Sequence, residues 1–273
     1  MTPNTNELKK QAAYRAVDDI IRSGSKVGLG TGSTARHVVH RLAEHLNNGR
    51  LKSVLTVATS NNTRELCRKL HIPVFSLNDS RIAGRLDYAI DGADEVSPMN
   101  DLIKGGGAAH LLEKIVAYSA EHFYVVVDES KLVTVLNRAF AVPLEIIPEA
   151  QASLIRVLEK ERFSVRLRMI GQMDAGRDRS AEQRGAAEQR GVGAPVGAPA
   201  ARGTGTPVLT DSRNRILDLF APGREGMEKG GPYDPAEMES YFNSVPGIVE
   251  SGLFTCPVRA VYIGAENGVV VRE

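Results

Sequence analysis

A chain of 273 residues, 42% hydrophobic and 25% charged, is long enough to bury one full core or two modest ones and has an ordinary globular composition. A formal net charge of +1 offers nucleic acid or an anionic membrane surface no electrostatic footing. Two cysteines, Cys67 and Cys256, exclude a disulfide framework and a cysteine-based zinc site, and the lack of a signal-like or membrane-spanning apolar run predicts a cytoplasmic protein.

Residues 7–23 repeat apolar positions at helical spacing (Leu8, Ala12, Ala16, Val17, Ile20, Ile21), which predicts an amphipathic helix. The apolar run 26–29 leads into Gly30, Thr31, Gly32, Ser33 and Thr34, after which Ala35, Val38, Val39 and Leu42 resume the helical period. Strand, Gly/Ser/Thr turn and helix form the βα unit of a parallel sheet, and this turn offers backbone N–H groups and three hydroxyls to a phosphate. Its spacing is neither a P-loop nor a dinucleotide fingerprint. A tight turn with a Ser/Thr helix cap explains the stretch as well as a phosphate site does.

Runs 53–58, 72–77 and 86–90 predict three further strands. The first ends in Thr59, Ser60, Asn61 and Asn62 ahead of a helix through residue 70. The last ends in Asp91, Gly92, Ala93, Asp94 and Glu95. Strands alternating with helices predict an open parallel α/β sheet, whose ligands gather at the carboxyl ends of its strands. An acidic surface turn is one reading of the DGADE stretch. A charge directly after a buried strand is costly without a task, which favours a functional one.

In the stretch 102–117, Lys104 leads into Gly105, Gly106 and Gly107, and Leu111, Leu112, Ile115 and Val116 then make one apolar helical stripe. The glycines therefore stand ahead of a helix N-terminus, where backbone N–H groups can approach an anion. Glu113 is expected about one and a half turns into that helix. An anion cradle, an ammonium and a carboxylate are the parts of a sugar-phosphate proton-transfer site. A Gly-rich loop with a solvated Glu–Lys pair is the simpler alternative.

Another apolar strand, 123–127, runs into Asp128, Glu129, Ser130 and Lys131, a lysine just past a strand end. An extended segment over 140–147, a helix over 149–160 and an alternating strand over 164–170 follow. Next come a strand over 216–220, a helix around 235–243, and a strand pair over 247–254 and 260–264. These predict a smaller α+β second domain over 137–256. Residues 257–273 return to the α/β domain begun by 1–136. Between 174 and 206 the repeats AEQRG and VGAP each occur twice, and such composition is expected to form a mobile insertion between strands 164–170 and 208–219. Residues 221–232 predict a second loop.

The motifs VGLGTGSTA, AIDGADEV, LIKGGGAAHLLEKIVA and VVVDESKLV, with YFNSVPGIVESGLF near the C-terminus, closely resemble type A ribose-5-phosphate isomerases. The resemblance spans nearly the whole chain except 174–206 and parts of 221–231. It implies a Rossmann-like open parallel sheet with a smaller α+β domain, and metal-free, cofactor-free interconversion of ribose 5-phosphate and ribulose 5-phosphate. By the same resemblance, Glu113 is the base that moves a proton between C1 and C2. Asp91 and Asp94 help open the furanose ring and shuttle hydroxyl protons, and Lys104 steadies the enediolate oxygen. Gly30, Thr31, Gly32, Ser33, Thr34 and Lys131 hold the substrate, chiefly by its phosphate, and Gly92, Ala93, Gly105, Gly106 and Gly107 complete the substrate contacts. A homodimer or homotetramer is implied, with no nucleic-acid or membrane partner.

The residue types suit that chemistry by themselves. Moving a proton between adjacent carbons needs one base on one face of a cis-enediol and positive charge where the oxyanion develops. A carboxylate serves if burial raises its pKa. Among the six histidines only His110 falls in these motifs, and it reads as structural. Two other classes fit a similar core. A coenzyme A transferase with a glutamate nucleophile would leave the paired Asp91 and Asp94 without a role. A sugar-phosphate-sensing regulator would need a DNA-binding module that the segment ahead of the first strand lacks.

Overall fold

The computed structural model describes residues 4–171 and 205–273. Helix α1 (Thr5–Ile20) is capped by Asn4, whose side chain accepts from the Asn6 N–H, and buries Leu8, Ala12, Ala13, Ala16, Val17 and Ile20 along one stripe. There follow β1 (Lys26–Leu29), α2 (Ser33–Asn47), β2 (Leu55–Ala58), α3 (Asn61–Lys69) and β3 (Leu86–Asp91). The next elements are β4 (Glu95–Val96), β5 (Leu102–Ile103), α4 (His110–Tyr118) and β6 (Ala120–Asp128). Then come β7 (Val142–Ile146), α5 (Gln151–Lys160), β8 (Ser164–Leu167), β9 (Arg215–Phe220) and α6 (Pro235–Ser244). The chain finishes with β10 (Ile248–Ser251), β11 (Leu253–Phe254), β12 (Ala260–Ala265) and β13 (Gly268–Arg272).

Six strands form the main sheet in the order β13-β12-β6-β3-β1-β2. All its neighbours are parallel except the β12–β13 hairpin, so this is the open α/β sheet expected. Its central strands are buried on both faces and read as near-continuous apolar runs, as parallel strands must. Parallel pairing brings Gly30, Thr59, Asp91 and Asp128 to one edge, with Leu29 opposite both Ala58 and Ile90. A four-stranded antiparallel sheet, β10-β7-β9-β8, packs α5 and α6 around Leu144, Ile146, Leu154, Leu158, Leu217 and Phe242. A small three-stranded sheet, β11-β5-β4, lies beside the carboxyl edge.

Three expectations need correction. The strand expected over 72–77 is only a bridge between Val74 and Thr56 at the sheet's outer edge. Pro73 has no N–H to donate to a ladder, and its carbonyl is taken by the Thr56 hydroxyl. The run 247–254 is not one strand paired with 260–264. It breaks at Gly252 into β10 and β11, which join different sheets, while β12 pairs with β6 and β13. A Cβ at Gly252 would lie 2.3 Å from the Lys104 carbonyl oxygen, so the chain crosses there in a space that admits only glycine. The third lies in α4, at the site. The low-complexity segment 174–206 lies outside the described residues except for its last two positions.

Candidate active site

The β4–β5 hairpin builds the centre. Asp94 donates its N–H to the Ile103 carbonyl at 2.8 Å, so the chain leaving Asp91 returns at Lys104. The Lys104 ammonium lies 3.0 Å from Asp91 Oδ2 and 3.3 Å from Glu113 Oε2, and it donates to the Gly92 carbonyl. All three side chains are almost fully buried. Asp91 is fixed from its other oxygen, which accepts from the N–H groups of Thr31 at 3.0 Å and Gly92 at 2.7 Å. Gly30 makes room for it, since a Cβ there would lie 1.9 Å from Asp91 Oδ1. Asp94, half-buried, accepts the Gly106 N–H at 2.8 Å.

The electrostatics follow from this burial. Loss of water pushes the Glu113 carboxyl up; Lys104 opposes the shift, Asp91 and Asp94 add to it, and the result is about 8. Burial also raises Asp91, against the pull of Lys104 and its backbone hydrogen bonds. For Lys104, burial favours the neutral form but the facing carboxylates outweigh it, so the ammonium is held more firmly than usual. The site thus pairs a permanent cation with a carboxyl poised near neutrality.

Helix α4 places Glu113 differently from expectation. Ala108 has φ +61° and Ala109 is not helical, so the helix starts at His110 and Glu113 falls in its first turn. The buried face is His110, Glu113, Lys114, Val116 and Ala117; of the expected apolar stripe Val116 alone is buried, Leu111 and Leu112 are half-buried and Ile115 is exposed. Charge is buried there because it is paired. Lys114 bonds Glu239 of α6 and, at 2.8 Å, Glu250 of β10. The Phe254 ring lies 5.5 Å from the Lys104 ammonium and 5.0 Å from that of Lys114. His110 Nε2 lies 3.3 Å from the Glu250 carbonyl, which can only accept, so this nitrogen carries the proton. Burial, then the cations Arg168 and Lys114, drive the His110 pKa down to about 3, and the ring stays neutral. Its structural role stands.

The cavity beside this cluster encloses about 330 Å³ and is lined by Thr31, Gly32, Ser33, Thr34, Gly92, Ala93, Asp94, Lys104, Gly105, Gly106, Gly107, Glu113 and Lys131. All of the site residues expected from the sequence therefore line one cavity or, for Gly30 and Asp91, support its wall. Gly32 occupies the cap position of α2 with φ +106° and no side-chain cap bond, so the alternative of a Ser/Thr cap does not hold. Ser33 and Thr34, in the first turn of α2, line the cavity, and no side chain caps the helix there. The Thr31 hydroxyl is clasped by Thr59 at 2.7 Å and Ser60 at 2.8 Å, which gives the 59–63 turn its contacts with the site.

Sequence reasoning missed Lys9 and Phe140, which also line the cavity. Lys9 stands 3.8 Å from Asp128 and is buried along its stem. Its position in α1, three and four residues before Ala12 and Ala13, was the available signal, since that spacing puts it on the buried face. Phe140 is presented by Glu95, whose carboxylate accepts the N–H groups of Asn137 at 2.7 Å and Phe140 at 2.8 Å. No local pattern marks that long-range cap.

Fold and site together define an α/β protein with an acid–base centre for a small anionic substrate. The family model for ribose 5-phosphate isomerase A (phosphoriboisomerase A) matches residues 55–268. The ribose-5-phosphate isomerase A of Treponema denticola is 40% identical over 97% of this chain and 98% of its own, and that of Thermosynechococcus vestitus is 38% identical over 97% and 94%. A solved D-ribose-5-phosphate isomerase in complex with phospho-erythronic acid superposes with TM-score 0.80 at 34% identity, covering 99% of this chain and all of the other. The enzyme from Methanocaldococcus jannaschii gives 0.78 at 33% identity, over 99% and 100%. The chain belongs to the ribose 5-phosphate isomerase A family.

Proposed function

We propose that the protein interconverts D-ribose 5-phosphate and D-ribulose 5-phosphate through an enediolate, in the non-oxidative branch of the pentose phosphate pathway. The observation that carries this reading is the Lys104 ammonium seated between the buried carboxylates of Asp91 and Glu113. Glu113 takes the proton from C2 of the open-chain aldose and returns it to C1. Its raised pKa makes it a competent base near neutral pH and a competent acid in the return step. Charge that develops on the C1 oxygen meets Lys104, already in place and shielded from water, so little reorganisation accompanies the step. Asp91 and Asp94 assist ring opening and carry the hydroxyl proton between O2 and O1. No step requires a metal or a redox cofactor.

The α2 N-terminus with Gly30–Thr34 accepts the phosphate, and Lys131 supplies a counter-charge. Lys9 joins them as a third cation at the cavity. Residues 1–136 with 257–273 act as the catalytic unit, and 137–256 closes one wall through Phe140. Exposed apolar side chains at Ile115, Tyr118, Ile147 and Val249 support a subunit contact and hence a homodimer or homotetramer, which light scattering tests. Neither a coenzyme A transferase nor a DNA-binding regulator finds support among the relatives.

The reading is tested by following ribulose 5-phosphate formation in a coupled assay. Turnover by the wild type and its loss in Glu113→Gln are expected. A wild-type protein that binds the aldose phosphate without turning it over sinks the proposal.

A further inference from the structure

Arg168 follows β8, in a different sheet from the catalytic cluster, yet it reaches the glycine turn. The side chain is 6% exposed. Its Nε pairs with Asp218 at 2.9 Å, a second nitrogen completes the fork, and Nη1 donates to the Gly105 carbonyl at 2.8 Å. At the other end of the same peptide unit, the Gly106 N–H donates to Asp94 at 2.8 Å. A trans peptide points its C=O and N–H in opposite directions. Arg168 and Asp94 therefore hold the Gly105–Gly106 peptide from its two ends, and that plane cannot turn without breaking both bonds.

The restraint has a purpose because glycine supplies none. Gly105 sits at φ +103°, and two glycines flank the peptide, so rotation meets little steric resistance. The Ala108 N–H also bonds the Gly105 carbonyl at 3.0 Å, but it belongs to the same turn and moves with it. Arg168 is anchored elsewhere. The Val208 N–H bonds its carbonyl at 3.0 Å, its own N–H bonds Ile216, and Asp218 on β9 fixes the guanidinium in one plane. A cation on the carbonyl also polarises the amide and strengthens the N–H bond to the carboxylate beyond it.

We infer that Arg168 is a positioning residue for the isomerisation, acting through the Gly105–Gly106 peptide to hold the Asp94 carboxylate toward the cavity. This rests on the proton-shuttling role of Asp94 proposed above. Asp218 in turn holds Arg168.

A double-mutant cycle tests it, with Arg168→Ala, Asp94→Asn and the pair assayed for kcat and KM on ribose 5-phosphate, and for thermal midpoint. Loosening a group by a fraction of an ångström to an ångström costs up to about 10²-fold, so Arg168→Ala is expected to lower kcat by roughly 10- to 100-fold. KM should stay within about threefold, because the interaction serves the reacting state more than ground-state binding. Asp94→Asn should then cost far less in the Arg168→Ala background than in the wild type, and added guanidinium should restore part of the kcat of Arg168→Ala. Should that variant fail to fold, Arg168→Lys, which keeps the charge but not the fork, carries the same cycle with the same non-additivity expected. Additive effects of the two substitutions, or a rise in KM alone, overturn the inference. If Asp94→Asn by itself leaves kcat unchanged, the role given to Asp94 is what fails, and the inference falls with it.

Discussion

The poised carboxyl of Glu113 has a signature in stability as well as in rate. Its folded pKa, raised from an ordinary 4.5 to about 8, means that the native state binds a proton more tightly than the unfolded chain. A group shifted in this direction contributes its stabilisation fully below pH 4.5 and loses it as pH rises through 8, because unfolding then releases a strained anion to water. At about 1.4 kcal/mol per pH unit, the window sets an upper bound of about 5 kcal/mol, with the attraction of Lys104 already inside the value of 8. Gln is nearly isosteric with the protonated acid and does not titrate. Relative to the wild type, Glu113→Gln should therefore be close to neutral at pH 5 and more stable at pH 9, by about 2–5 kcal/mol. Urea unfolding of both proteins at the two pH values reads the difference directly, and titrating groups that do not face Glu113 cancel between them. The same variant should lose about 10²- to 10⁴-fold or more in kcat, as removal of a general base does. A stability difference that stays flat from pH 5 to pH 9, or one that moves in favour of the wild type, refutes the account of the buried carboxyl. A kcat above about a tenth of wild type removes Glu113 from the role of base.

Lys104→Ala should lower kcat more than it raises KM, because its charge meets the enediolate, whereas Lys131→Ala and Lys9→Ala should chiefly raise KM. Steady-state kinetics with the opposite division would reassign these lysines. Gly30→Ala should destabilise by about 1–3 kcal/mol and cripple turnover, since its methyl would collide with Asp91; normal activity with a normal thermal midpoint would contradict the close approach. Turnover should survive exhaustive chelation, as Lys104 already supplies the positive charge a metal would bring. Loss with EDTA and recovery with a divalent cation would disprove that.

Much of this arrangement is legible in the sequence because the signals are local. Strands β1, β3 and β6 are apolar runs that end abruptly in polar turns, and a parallel sheet needs little more to bring those turns to one edge. Failure comes where the environment reverses a local rule. In α4 the periodic leucines and Ile115 announce an inward stripe, but the helix turns its charged residues inward because Glu239 and Glu250, more than a hundred residues away, receive Lys114. The run 72–77 has the hydrophobicity of a strand, and one proline leaves it with a single bridge. Arg168 and Asn137 carry no local mark, and Glu95 is marked only as the end of the DGADE turn. Each acts on a backbone segment distant in sequence, Arg168 on Gly105, Glu95 on Asn137 and Phe140, and the Asn137 amide on Leu219 and Ala221, and only tertiary contact reveals it.

The return of the last strands to the main sheet has a consequence for how the protein is made. Strand β12 covers the outer edge of β6, and α1 lies against it so closely that a Cβ on Gly264 would be 2.1 Å from the Leu8 carbonyl oxygen. The helix that carries Lys9 leaves the ribosome well before β12, the strand that seats it. Until residues 260–265 emerge, β6 is an open edge able to pair with a neighbouring chain, and α1 shows its apolar stripe to water. A nascent chain of this protein is therefore expected to depend on chaperone cover until β12 arrives, and to seat Lys9 at the cavity only after that.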